Sequence, residues 1–155
     1  MHTTTLVKHG KGALGLRTIG LGPYFKPTKG LKKLQSLLNE YAIWAKNRTA
    51  QDLKIMLANS TVVISLWQKD ELIGFGRATS DYTFRAILWD VVVKEDQQGL
   101  GNGKKIINAL LSSEALIKVK NIYLITTNKS KFYEQVGFKT IQHQNLMILN
   151  QESNI

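Results

Sequence analysis

The chain has 155 residues, 43% of them hydrophobic, no cysteine, and a formal charge of +10 at pH 7. That length supports one domain with a proper core and is short for two. The lack of cysteine removes disulfide frameworks, thiolate zinc sites and cysteine nucleophiles, and no apolar run approaches the roughly 18 residues of a membrane-spanning helix. The positive charge is almost wholly lysine, with only four arginines, Arg17, Arg48, Arg77 and Arg85. Such an excess suits an anionic ligand, an acidic partner or nucleic acid. Nucleic acid is the least favoured, because base readers prefer arginine and no known module is visible.

In chain order, residues 1–13 read as a flexible tail, with the first strand between Leu14 and Phe25. The N-terminus lacks the apolar core of a secretory signal and an Arg/Ser-rich transit leader. After Pro27, Leu31, Leu34, Leu37, Leu38 and Tyr41 fall at helical spacing, with Thr28 as a cap. Thr49 and Asp52 resemble a capping box for a second helix, whose stripe is Leu53, Met56 and Leu57. From Thr61 the pattern turns to strand: TVVISLW, LIGFGRAT and FRAILWDVVV, joined by short polar turns as an antiparallel meander. The third is nearly continuous in apolar residues, as a central strand should be. A glycine-rich loop and a helix with Ile106, Ile107, Leu110 and Leu111 on one face follow. A strand at 121–127, a short helix near Ser130–Gln135 and two strands, FKTIQ and NLMIL, complete the chain. The expected fold is α/β (α+β): a mostly antiparallel sheet of six to seven strands with about four helices, in the order βααβββαβαββ. The expected domain spans 14–150, with a C-terminal tail at 151–155.

The loop Gln98-Gly99-Leu100-Gly101-Asn102-Gly103-Lys104 opens a helix. Glycines let the backbone turn tightly, and a helix start offers unpaired N–H groups and partial positive charge, a natural place for phosphate. Asp90 lies inside LWDVVV, where the pattern demands burial. A buried carboxylate is costly unless paired, protonated or used. It therefore reads either as a general base with its pKa raised towards neutrality or as a salt-bridge partner of Arg77 or Arg85. Trp89, Tyr82, Phe84 and Met147 are candidates to line a pocket for an aromatic amine, or else core. His2, His9 and His143 show no metal-ligand spacing, so no metal is expected.

Gln98, Gly101 and Gly103 fit a Q/R-x-x-G-x-G/A loop, and KFYEQVGF at 131–138 fits Y-x-x-x-GF through Tyr133, Gly137 and Phe138. In these motifs and their separation the chain resembles the GNAT family of acetyl-coenzyme A-dependent N-acetyltransferases. ILWDVVV, QGLGNGK and FYEQVGF are similar to its plant, algal-plastid and cyanobacterial serotonin (arylalkylamine) N-acetyltransferase branch. The resemblance implies that Val91, Val92 and Val93 hold the pantetheine arm of acetyl-CoA as a pseudo-strand and that Gln98, Gly99, Leu100, Gly101, Asn102, Gly103 and Lys104 hold its pyrophosphate. It implies Tyr133 as general acid toward the leaving thiolate, Asn128 as a cofactor contact, and Asp90 as the base.

The implied reaction is direct acetyl transfer to a primary amine, an arylalkylamine such as serotonin or tryptamine. A protein lysine or N-terminus is the alternative acceptor, and a non-catalytic CoA-binding or basic nucleic-acid-binding module is the alternative class. The implied partners are this acceptor and a second copy in a homodimer, with no membrane. The implied place is the plastid stroma, or alternatively a cyanobacterial cytoplasm.

Overall fold

The computed structural model describes residues 3–152. They form two compact units, one ending at Ile125 and one beginning at Thr126.

The first unit is built on a five-stranded sheet in sequential order. Its first strand, β1 (Thr4–His9), lies inside the stretch expected as a tail. It runs antiparallel to β2 (Val62–Gln68), from Thr4 opposite Gln68 to His9 opposite Val63. The segment expected to carry that strand instead holds α1 (Leu14–Ile19) and a 3-10 turn at Pro23–Phe25. Gly20, in the left-handed region at φ +64°, ends α1 by donating its N–H to the Leu16 carbonyl. Only Leu16 of this short helix is buried, so no helical stripe announces it.

Helix α2 (Gly30–Tyr41) buries Leu34, Leu37 and Leu38. Its cap is Lys29, at φ +58°, and not Thr28. Helix α3 (Ala50–Ala58) starts as its sequence predicts: the Thr49 hydroxyl accepts the Asp52 N–H at 3.0 Å. The meander continues through β3 (Glu71–Ser80) and β4 (Arg85–Val93), both antiparallel to their predecessors. Side chains alternate between the two faces of β3. Phe75 points into a core with Leu34, Leu37, Leu53, Leu57 and Trp67. Gly74 and Gly76 face the other way, beneath helix α4 (Asn102–Leu111). A Cβ on Gly76 would come within 2.7 Å of Ile106 Cγ2, so the bare backbone lets α4 lie directly on the sheet. This helix leads to β5 (Asn121–Tyr123), parallel to β4 and shorter than the 121–127 strand expected.

His9 ties the edge strand to the interior. Its Nε2 lies 2.7 Å from Ser65 Oγ, which accepts the Trp67 indole N–H at 2.8 Å. Burial lowers the His9 pKa to about 4. The unfolded chain gains a proton near pH 6.5 and the folded chain only near pH 4, so this stability is complete above pH 6.5 and lost as pH falls through 4. We expect a loss of about 2–3 kcal/mol across that window, absent from His9→Gln in urea titrations at pH 7 and pH 4. Equal losses in both proteins would remove His9 as the cause.

The second unit contains α5 (Ser130–Gln135), at the residues predicted for it. The Tyr133 ring sits edge-on to Phe132 and Phe138, with centroids 5.0 and 5.9 Å away. The Tyr133 carbonyl accepts the N–H groups of Val136 and Phe138. The two strands expected after it do not form among the described residues. Leu146, Met147, Ile148 and Leu149 are exposed, so FKTIQ and NLMIL lack the buried face that would make a hairpin worth its ordering. The sheet thus has five strands, and the element order is βαααβββαβα.

Candidate functional site

Two features of β4 create the site. Its pairing with β5 ends at Ile87 opposite Tyr123, while β4 runs on to Val93. From Leu88 onward the β5 side of the strand pairs with no strand among the described residues and forms a free edge. The second feature is a bulge, since Trp89 pairs with Arg77 and Val92 with Phe75, leaving Asp90 and Val91 together opposite Gly76. Asp90 adopts φ +53° to absorb the extra residue. Beyond the bulge, Lys94 donates its N–H to the Ile73 carbonyl, so Lys94 and Val92 face β3. By alternation Val91 and Val93 turn their backbone groups to the free edge.

Asp90 is buried, with its residue 8% exposed. Its Oδ2 accepts from Arg77 Nε at 2.8 Å and Arg48 Nη1 at 2.9 Å, and its Oδ1 from Trp44 Nε1 at 3.0 Å. Burial pushes the carboxyl pKa up, but the hydrogen bonds and charges of Arg48 and Arg77 outweigh it and hold the pKa below the ordinary carboxylate value. The raised pKa expected from burial alone is therefore corrected. Of the two salt-bridge partners named from sequence, Arg77 is present and Arg85, exposed at the start of β4, is not.

Sequence reasoning missed Arg48 and Trp44. Trp44 sits in a 3-10 turn, Ile43–Ala45, and Arg48 immediately precedes the α3 cap. One signal was present: in a chain so rich in lysine, two of only four arginines converge on one carboxylate. A planar guanidinium suits that partner better than an ammonium does.

The glycine loop follows β4 directly. Gly99 and Gly101 lie at φ +74° and +84°, and a Cβ on either would meet nothing within 4 Å. The first intrahelical bond of α4 runs from Lys105 N–H to the Gly101 carbonyl. The N–H groups of Asn102, Gly103 and Lys104 therefore precede the ladder and remain for an anion. Two side chains hold the loop in shape. Gln98 Nε2 donates to the Val93 carbonyl at 2.9 Å, and Asn102 Nδ2 donates to the Gln97 carbonyl at 2.9 Å. Asn102 is buried. The open backbone and the adjacent free edge fit an extended ligand that ends in phosphate.

Other candidates are distributed differently. Trp89 donates its indole N–H to Thr79 Oγ1 and lies under the Arg77 guanidinium, one residue from Asp90. Tyr82 and Phe84 belong to the β3–β4 turn, where Asp81 Oδ1 accepts the N–H groups of Thr83, Phe84 and Arg85. At about 3.3 Å per residue, Phe84 is about 20 Å along the strand from Asp90. Tyr82 and Phe84, read from sequence as pocket-lining or core, are exposed and not core, and the turn places them at the opposite end of β4 from Asp90. In the second unit, Asn128 is exposed and Met147 lies on its exposed apolar stretch. Burial raises the Tyr133 pKa, so the phenol stays protonated at neutral pH. Among the described residues no three His, Asp or Glu side chains gather as a metal site.

Comparison with known proteins supplies the family. The model of the acetyltransferase (GNAT) domain matches residues 58–140. An uncharacterized N-acetyltransferase, ycf52, of Pyropia yezoensis is 42% identical over 61% of this chain and 57% of its own length. A histone acetyltransferase, TAP1, of Glycine max is 34% identical over 68% of this chain and 50% of its own. The chloroplastic serotonin N-acetyltransferase 2 of Oryza sativa is 33% identical over 59% and 48%. The chain thus spans about half the length of these relatives. Among solved structures, a GNAT-family acetyltransferase of Streptococcus pneumoniae superposes with a TM-score of 0.70 at 17% identity, covering 96% of this chain and 99% of that one. The overall fold is therefore shared with a known acetyltransferase structure, and with the family model matching more than half of its residues, the chain belongs to the GNAT acetyltransferase family.

Proposed function

We propose that the protein transfers the acetyl group of acetyl-CoA to a primary amine. The observation that carries this reading is the free edge of β4 running directly into an open, helix-capping glycine loop. On this reading the amide groups of the pantetheine arm bond to Val91 and Val93 as a strand adds to a sheet, while the N–H groups of the loop hold the pyrophosphate. The Val91 N–H, beside the bulge, is the donor toward the thioester carbonyl as negative charge develops on its oxygen.

The amine nitrogen attacks the carbonyl carbon, the C–N bond forms, and the C–S bond breaks. The thiolate takes up a proton, the step for which the family resemblance implies Tyr133 as acid, and the amine loses one to water. Asp90 with Arg48 and Arg77 leaves one net positive charge at this place, which favours the neutral, nucleophilic form of the acceptor.

For the acceptor we propose an arylalkylamine. The serotonin N-acetyltransferase relative supports it, as does the indole of Trp44, 61% exposed beside Asp90. The chloroplastic relative likewise supports a plastid setting, with a cyanobacterial cytoplasm as the alternative. The protein has no thiol of its own, so a thiol reagent reads only the CoA released. With acetyl-CoA present, tryptamine or serotonin is expected to give faster CoA release than peptides bearing a free lysine or N-terminus. Acetylation confined to the peptides would transfer the assignment to protein amines, and tight CoA binding without turnover on any amine would defeat the enzymatic reading.

A further inference from the structure

We infer that Asp90 is a positioning residue: clasped by Arg48, Arg77 and the Trp44 indole, its side chain straps the β4 bulge so that the Val91 N–H stays on the free edge. The inference rests on the acetyl-transfer reading and gives Asp90 a role exerted through the backbone in place of proton transfer.

Three observations converge on it. First, at φ +53° Asp90 occupies the left-handed region, uncommon for residues other than glycine and entered among the rest chiefly by Asn and Asp, and such a conformation persists where the surroundings over-determine it. Secondly, the surroundings do so here. The donors arrive from three separate segments, the Ile43–Ala45 turn, the residue before the α3 cap, and β3, and together they engage both carboxylate oxygens. Thirdly, the regular ladder is interrupted at this place, because Asp90 and Val91 share Gly76 as their single opposite residue.

The clasp also opposes proton uptake. A protonated Asp90 would leave two guanidinium groups facing a neutral acid, with the Arg77 side chain only 15% exposed. That cost recurs in every cycle of a base and never arises for a strap.

Glycine and alanine at this position separate the two roles. Both Asp90→Gly and Asp90→Ala delete the carboxylate and leave the same two guanidinium groups unpaired. Only glycine accepts the left-handed backbone freely; alanine resists it by roughly 1–2 kcal/mol, about a tenfold factor. The strap predicts that Asp90→Gly turns over about tenfold faster than Asp90→Ala, with the difference in kcat and with the wild-type pH profile kept. Equal rates for the two, or a profile that loses its acidic limb, would overturn it.

The wild-type protein is assayed first with acetyl-CoA and each candidate acceptor, tryptamine and peptides bearing a free lysine or N-terminus. Its inactivity would count against the acetyl-transfer reading, and so against the strap that rests on it, whereas activity together with equal variants counts against the strap alone. Should either variant fail to fold by circular dichroism, Asp90→Asn decides. Asparagine keeps an oxygen acceptor and tolerates φ above zero, so the strap predicts a rate within tenfold of wild type. A larger loss, with the acidic limb gone, would restore the base.

Discussion

Arg77→Met is expected to lower the unfolding free energy by about 3 kcal/mol at pH 7, read from urea midpoints at constant m. Removing this guanidinium strips Asp90 Oδ2 of its 2.8 Å hydrogen bond and leaves Arg48, the more exposed of the two, as the remaining counter-charge. Asp90 remains buried, so its desolvation is no longer offset to the same degree. The effect should depend on pH in a definite sense. In the native protein the Asp90 pKa is depressed, so the clasp contributes its stability above the unfolded carboxylate pKa of 3.8 and loses it as pH falls below that. The gap between wild type and Arg77→Met should therefore be full at pH 7 and close as pH falls below 3.8. Arg85→Met serves as the control. It removes the same charge from an exposed position at the other end of β4 and should change stability by no more than about 0.5 kcal/mol. Equal losses for both variants would mean that net charge, and not the clasp, carries the effect.

Gly101→Val is expected to raise the KM for acetyl-CoA tenfold or more while leaving the far-ultraviolet circular dichroism intact. Gly101 caps α4 at φ +84°, a backbone that a β-branched residue adopts only with strain. An added Cβ meets no protein atom, so the interior packing of α4, through Ile106, Ile107 and Leu110, is untouched. The cost falls on the loop and on the space a phosphate would occupy. The strain of roughly 1–2 kcal/mol per such residue corresponds to about a tenfold change in binding before the blocked approach is counted. The proposed function is contradicted if isothermal titration finds unchanged acetyl-CoA affinity in Gly101→Val.

Much of the first unit can be read from the sequence, because its central elements carry periodic patterns. The alternation and apolar runs of β2, β3 and β4 report strands that pair with immediate neighbours through short turns. Helix α4 reports itself through Ile106, Ile107 and Leu110, and α3 through Thr49. Thr4–His9 is different. It is short, half-exposed and polar at both ends, and its partner β2 begins more than fifty residues later, so nothing local marks it as a strand. At the other end, the run of four consecutive apolar residues in NLMIL suggests a strand but says nothing about what would cover it.

The site divides along the same line. Loop and edge are contiguous in the chain and visible in it. Asp90 is visible too, as a charge in an apolar strand. Its chemistry is not, because the direction of its pKa depends on Arg48 as well as Arg77, and Arg48 belongs to an irregular segment with no period to extrapolate. Burial alone argues for a raised pKa, and two guanidinium groups reverse that.

The bonds from Gln98 to the Val93 carbonyl and from Asn102 to the Gln97 carbonyl have a kinetic consequence. A loop already clamped at both ends arrives at the encounter as a mould, and the conformational entropy that a floppy loop would surrender on association has been spent during folding. Capture of the nucleotide end should then proceed without a slow ordering phase, so the rate at which CoA associates reports diffusion and charge. The surplus of lysine enters at that step, by drawing a polyanion toward the chain before any specific contact forms.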